Sequence, residues 1–156
     1  MNGDVGFSLR FEPDHFVEAR FSNASCCYAV RSLNSESDVL GELLATLTWL
    51  RHQGPYSQAV LKWRFVGESW IVLDRRHNQL VINIAEFDEV VEELPGETWI
   101  ATHRFKRVGF HHIGELLPFI AKVVSEFGRL YEELGASGYL NNWGFDYPGE
   151  AIARLR

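Results

Sequence analysis

Four short stretches between Ala59 and Phe105 constrain the fold most. They are Ala59-Val-Leu-Lys-Trp-Arg-Phe65, Ser69-Trp-Ile-Val-Leu-Asp74, Gln79-Leu-Val-Ile-Asn-Ile-Ala85 and Thr98-Trp-Ile-Ala-Thr-His-Arg-Phe105. Each is rich in β-branched and aromatic residues and alternates in polarity, the pattern of a strand with one buried face. The breaks between the first three are short and polar: Gly67 lies in the first and Arg75-Arg-His-Asn78 forms the second. Breaks this short join antiparallel neighbours, because a parallel crossover needs a dozen or more residues. The stretch therefore predicts a meander, with Leu61, Trp63 and Phe65 on one face and Lys62 and Arg64 on the other. Leu80, Ile82 and Ile84 supply the apolar face of the third strand, with Asn83 on its reverse.

Around the meander, Phe7-Ser-Leu-Arg-Phe11 predicts a first strand closed by Pro13. Phe16–Phe21 and Cys27–Arg31 read as a second and third strand, or one of them as irregular chain. Ser35-Glu-Ser-Asp38 opens a helix, with either serine able to cap it and Glu36 and Asp38 suited to its positive end. Val39, Leu43, Leu47 and Leu50 recur along that helix, joined by Leu40 and Leu44, and Gly54-Pro55 stops it. A longer apolar stripe runs from Leu116 through Ile120, Val123, Phe127 and Leu130 to Leu134 and ends at Gly135. Pro118 fits its first turn. Residues 138–148 read as an aromatic, turn-rich tail, and Glu150–Leu155 as a final helical turn. Strands and helices segregate, which predicts one α+β domain over residues 1–156: an antiparallel sheet, the meander plus the N-terminal strands, packed against two main helices.

Glu86 to Glu97 interrupts the strands with the sharpest change in composition. Six of its twelve residues are acidic: Glu86, Asp88, Glu89, Glu92, Glu93 and Glu97. Phe87, Val90, Val91 and Leu94 follow helix-like spacing, which predicts a short helix here. Two readings compete, a solvated helix side and a docking surface for a cationic protein. Trp143, Phe145 and Tyr147 are the matching candidates for aromatic anchors, against the alternative that they simply pack onto the sheet.

Other chemistry is thin. The net charge of −6 opposes sequence-independent nucleic-acid binding, which rests on phosphate neutralisation. Lys62, Arg64, Arg75, Arg76, Arg104, Lys106 and Arg107, with Trp63, Trp70 and Trp99, could form a single-strand platform, but alternation sets Trp63 opposite Lys62 and Arg64. Adjacent Cys26 and Cys27 read as small buried hydrophobes in a reducing compartment. His103, His111 and His112 lack the convergent spacing of a zinc site, so no metal or other cofactor is expected. No nucleophile elbow, phosphate loop or dinucleotide fingerprint occurs. No apolar run approaches the ~18 residues of a membrane span, and the N-terminus lacks a signal-peptide pattern, so a soluble, cytoplasmic protein is expected.

Tyr131-Glu-Glu-Leu-Gly135 closing the long helix, then Trp143-Gly-Phe-Asp-Tyr-Pro148 and a short final helix, resemble small bacterial immunity proteins. The hairpin Ser69–Asp74 and Gln79–Phe87 resembles their meanders. These are the cytosolic antidotes of polymorphic and contact-dependent growth-inhibition toxins. The resemblance covers about half the chain. It implies a non-enzymatic protein that binds one cognate toxin domain, often a nuclease, and blocks it. It carries over no catalytic motif and no binding residue. The alternative is a small enzyme or ligand-binding domain with a pocket between sheet and long helix, using His103, His111 and Asp146.

Overall fold

The protein is described by a computed structural model over residues 3–13, 15–35, 37–65, 67–96 and 98–156, for 94 and 98–101 in backbone only. It is α+β, and its strands divide into two antiparallel sheets. β1 (Gly6–Glu12), β2 (Phe16–Ser22) and β3 (Cys27–Leu33) form the smaller, in that order. After α1 (Val39–His52) come β4 (Tyr56–Arg64), β5 (Glu68–Arg76), β6 (Gln79–Leu94) and β7 (Thr98–Glu115), the meander anticipated from alternation and short turns. The chain ends with α2 (Leu116–Trp143) and α3 (Gly149–Leu155).

One continuous hydrophobic core joins both sheets and all three helices. Phe7, Leu9, Val17, Ala19 and Phe21 enter it from the small sheet, and Leu61, Trp63, Ile71, Leu73, Ile82 and Ile84 from the large one. Phe21 bridges the layers, its ring centroid 5.9 Å from Phe110 of β7 and 6.4 Å from Phe119 of α2. Burying each valine, leucine, isoleucine or phenylalanine among them contributes roughly 1.5–3 kcal/mol.

Exposed backbone edges and ends are closed by side chains. Along β1, the Leu9 N–H donates to Glu126 Oε2 (3.0 Å) and Arg129 donates to the Leu9 carbonyl (2.7 Å), both from α2. The pair satisfies an edge that would otherwise recruit another strand. At the end of α1, Arg75 donates to the carbonyls of Leu50, Arg51 and Gln53.

Several expectations are corrected. Residues 86–94 form no helix; they continue β6, and the ladder pairs them with β7 from Leu94↔Thr98 to Glu86↔Arg107. Cross-strand pairing with Arg104 and Arg107 and the β-branched Val90 and Val91 outweigh the helix-like spacing. Pro95-Gly96, with Gly96 at φ 96°, suits a type II turn rather than a helix stop. β7 does not end at Phe105 but runs on to Glu115, with irregularities where Lys106 and Gly109 lack ladder partners.

α1 is capped by Asp38, whose Oδ1 accepts from the Gly41 N–H (3.1 Å), rather than by a serine. Glu36 and Glu97 lie outside the described residues. α2 starts at Leu116 as expected, but Gly135 (φ 66°, ψ 176°) is a break and not the end. The helix resumes, so 138–143 are helical and the left-handed cap is Gly144 (φ 88°). Only glycine adopts both conformations without strain. Cys26 and Cys27 are exposed, not buried, because Cys26 sits in the β2–β3 turn and Cys27 on the outer face of β3.

Candidate functional site

The acidic residues are gathered on a two-stranded arm. β5 pairs with β6 only as far as Glu68↔Phe87, and beyond that point residues 88–94 pair with 98–104 of β7 alone. Alternation then sorts the arm into two faces. Glu86, Asp88, Val90 and Glu92 continue the inner, core-facing side, while Phe87, Glu89, Val91 and Glu93 continue the outer side.

At its base the acidity is internally compensated. Glu86 accepts from Arg107 (Nε to Oε2, 2.7 Å) and from the Tyr28 hydroxyl of β3. The Arg107 hydrogen bond, outweighing partial burial, holds the Glu86 carboxyl below its ordinary range. Burial, with Glu86 beside it, pushes the Tyr28 phenol well up, so it stays a donor. Asp88 lies 3.8 Å from Lys106. The Tyr28 ring also lies where a side chain at Gly109 would stand, which explains the glycine. Toward the tip the compensation stops. Glu89, Glu92 and Glu93 are exposed and form no ion pair among the described residues, and Glu92 and Glu93 face Ile100 and Trp99 in register.

A cleft of about 330 Å³ opens on the inner side of the arm base, with Arg31, Phe65, Glu86, Asp88 and Lys106 in its wall. Glu68, which also lines this cleft, is the centre of a polar cluster. This carboxylate is buried but accepts from Arg64 Nε (3.1 Å) and from the Trp70 indole, and His103 Nε2 lies 3.3 Å away. Burial alone would raise the Glu68 carboxyl, yet the Trp70 hydrogen bond, His103 and Arg64 together hold it low.

No family model, curated protein or solved structure matches this chain.

The aromatic tail is placed differently from the arm. Trp143 is fully buried and its indole donates to Asp38 Oδ1 (2.8 Å), the residue that caps α1. Phe145 and Tyr147 are half-buried against the core, and the Tyr147 hydroxyl donates to the Phe127 carbonyl (3.0 Å). Trp143 is thus a core residue rather than a surface anchor, and the three aromatics do not join the acidic arm in one surface.

The histidines do not converge. His103 faces Glu68, His111 Nδ1 meets Asn83 Oδ1 (2.6 Å), and His112 Nε2 meets the Gly3 carbonyl (3.0 Å). His111 and His112 are neighbours on a strand and so point to opposite faces. A cleft of about 510 Å³ does lie between the small sheet and α2, lined by Arg10, Glu18, Arg20, Arg129 and Glu133. None of His103, His111 or Asp146 reaches it. Its charges are already paired: Glu18 receives Arg20 (2.6 Å) from the cleft wall and Arg31 (2.9 Å) from outside it, and Arg129 binds Glu133 in the wall and Glu126 beside it. No helix among the described residues is long and apolar enough to cross a membrane.

Sequence reasoning missed the outer face of the large sheet. Val60, Trp70, Val72, Val81, Phe105, Val108 and Ile113 share it, with Phe105 58% and Val108 55% exposed. The signal was present in Val60, Trp70 and Val72, reverse-face positions where alternation would put polar residues.

Proposed function

We propose that the chain is a non-enzymatic, toxin-neutralising immunity protein acting in the cytoplasm, and that the exposed acidic residues of the β6–β7 arm, with the cleft at its base, dock a cognate toxin domain. The observation that carries this reading is the arm itself. It extends seven ladder pairs past the shared sheet and exposes Glu89, Glu92 and Glu93 without internal counter-charges among the described residues. Uncompensated acidity on a projecting element attracts a basic partner and speeds encounter, and a nuclease domain, whose groove must attract phosphate, has that charge. The wall of the cleft at the arm base, with Phe65 beside Glu86 and Asp88, offers an apolar contact next to the charge.

The test is direct. The purified chain is titrated against the toxin domain encoded beside its gene, at low and physiological salt, and cells expressing that toxin are scored for rescue. One-to-one binding that weakens with salt, together with rescue, is expected. An absence of binding or of rescue would sink the reading.

A further inference from the structure

The arm leaves one backbone edge of β6 open, and we propose that a basic strand of the toxin domain pairs there, along residues 89–94. This rests on the docking reading above and states how the partner is held. β5 leaves β6 after the Glu68↔Phe87 pair, so beyond Phe87 that side of β6 has no ladder partner among the described residues. Successive residues of an antiparallel strand turn their backbone groups to opposite sides in alternation. Two contacts fix which residues turn which way. The Phe87 carbonyl stands against Gly67 on the β5 side, so close that a side chain at Gly67 would collide with it. The Val90 carbonyl faces β7, where it accepts from the Thr102 hydroxyl (3.3 Å). Glu89, Val91 and Glu93 therefore present N–H and C=O to the open edge, while Asp88, Val90 and Glu92 direct theirs to β7.

Other edges of the fold are closed or blunted. β1 is closed by Glu126 and Arg129, and on β7 the Asn23 side chain donates to the His111 carbonyl (3.3 Å). β4, at the far side of the large sheet, carries Lys62 and Arg64, charges that discourage a further strand. The β6 edge is guarded by acid alone. Val91, apolar and β-branched, stands 57% exposed in the middle of it. At strand rise, residues 89–94 offer about 20 Å of edge, enough to template an added strand.

Charge selects the occupant. Opposite residues of paired strands share a face, so an added strand meets Glu89, Val90, Val91, Glu92 and Glu93 in turn. Residues 88–94 hold four carboxylates, Asp88, Glu89, Glu92 and Glu93, and no cation. A second copy pairing here would set carboxylates against carboxylates or apolar residues, so the edge rejects its own kind. A strand with two basic, two apolar and one basic residue in succession gives each glutamate a cation and each valine an apolar neighbour. The β7 side of the arm, with Arg104 and Lys106, repels that same strand. At its base the edge meets Gly67 and Phe87, which line the 330 Å³ cleft with Phe65, so the end of the added strand reaches the cleft.

The probe is the capped peptide Thr-Lys-Arg-Val-Val-Lys, which matches residues 94–89 read antiparallel, titrated calorimetrically against the full chain at low salt. A Kd below ~1 mM is expected, with amide exchange slowed at Glu89, Val91 and Glu93. Backbone N-methylation of both lysines and the first valine keeps the charge but removes the pairing N–H groups, and should weaken binding at least ~10-fold. Val91→Pro removes an edge N–H and leaves the β7 ladder intact, so it should do the same, while Val91→Thr should bind as wild type. The methylated peptide changes nothing in the protein, so it decides even if Val91→Pro does not fold. No peptide binding, or equal binding of the methylated peptide by charge alone, overturns the proposal. The toxin domain encoded beside the gene separates this from the docking reading. Toxin bound equally by wild type and folded Val91→Pro overturns edge pairing and leaves docking standing. Peptide bound as expected with no toxin bound sinks docking and leaves the edge a strand acceptor.

Discussion

Trp143, Phe145 and Tyr147 near the C-terminus and the acidic residues of β6 are treated in opposite ways by the fold. The aromatics turn inward: Trp143 has no exposed surface and ties the end of α2 to the cap of α1 through Asp38. The acids run outward along an arm that leaves the sheet, and their exposure rises as their ion pairs run out. Glu18 and Glu92 make the same contrast in one residue type. Glu18 is 1% exposed beneath Arg10, Arg20 and Arg31, whereas Glu92 stands in solvent with no ion pair among the described residues. Chemistry that is conspicuous in composition becomes scaffold where the fold supplies partners, and becomes surface where it does not.

The comparison is broken most severely at Trp143. Trp143→Ala removes a fully buried indole and its bond to Asp38, and should cost about 3–5 kcal/mol in urea unfolding. Toxin affinity, measured where the variant is still folded, should be unchanged; a selective loss of affinity would return the tail to the interface. Next comes Glu18→Gln, which leaves three guanidinium groups facing one another over a neutral amide. Their partial exposure moderates the penalty, to about 2–3 kcal/mol.

The elements that could be read from residues alone are those whose pattern has one solution. The meander, both main helices and the first strand follow from alternation, periodicity and short breaks, whereas Phe16–Phe21 and Cys27–Arg31 admit irregular chain as well and only the ladder makes both of them strands. The acidic segment did not, because Phe87, Val90, Val91 and Leu94 satisfy a helix stripe while Val90 and Val91 equally favour a strand. What decided between them was the partner strand after Pro95-Gly96, a non-local fact. Gly135 misled in the converse way: a glycine that can end a helix here only interrupts one. The acidic residues of the site were legible from composition, but which of them remain uncompensated depends on Tyr28, Lys106 and Arg107, brought together only by the ladder and by β3 packing on Gly109.

Acid should sharpen the distinction between base and tip of the arm. Glu86 has a depressed carboxyl in the folded state, so its contribution is complete above the ordinary glutamate value, near 4.5, and is lost as pH falls below it. Wild type should lose about 1 kcal/mol more than Glu86→Gln between pH 6 and pH 3, with the two curves converging in acid. Parallel curves would show that the Arg107 and Tyr28 contacts do not hold Glu86 in solution.

The smallest effect on stability is expected at the tip, and that is its diagnostic value. Glu92→Lys/Glu93→Lys changes exposed residues with no ion pair among the described residues, so unfolding free energy should move by no more than about 0.5 kcal/mol. Association with a basic toxin domain should instead slow by about tenfold at low salt, because long-range attraction sets the encounter rate. The gap should narrow at physiological ionic strength, where the screening length falls to about 8 Å. A structural role for these acids predicts the reverse, a lower stability with an unchanged rate. Stopped-flow association beside urea unfolding on the same variant separates the two, since losing a long-range attraction slows encounter and spares the fold, whereas losing an internal contact lowers stability and leaves encounter unchanged.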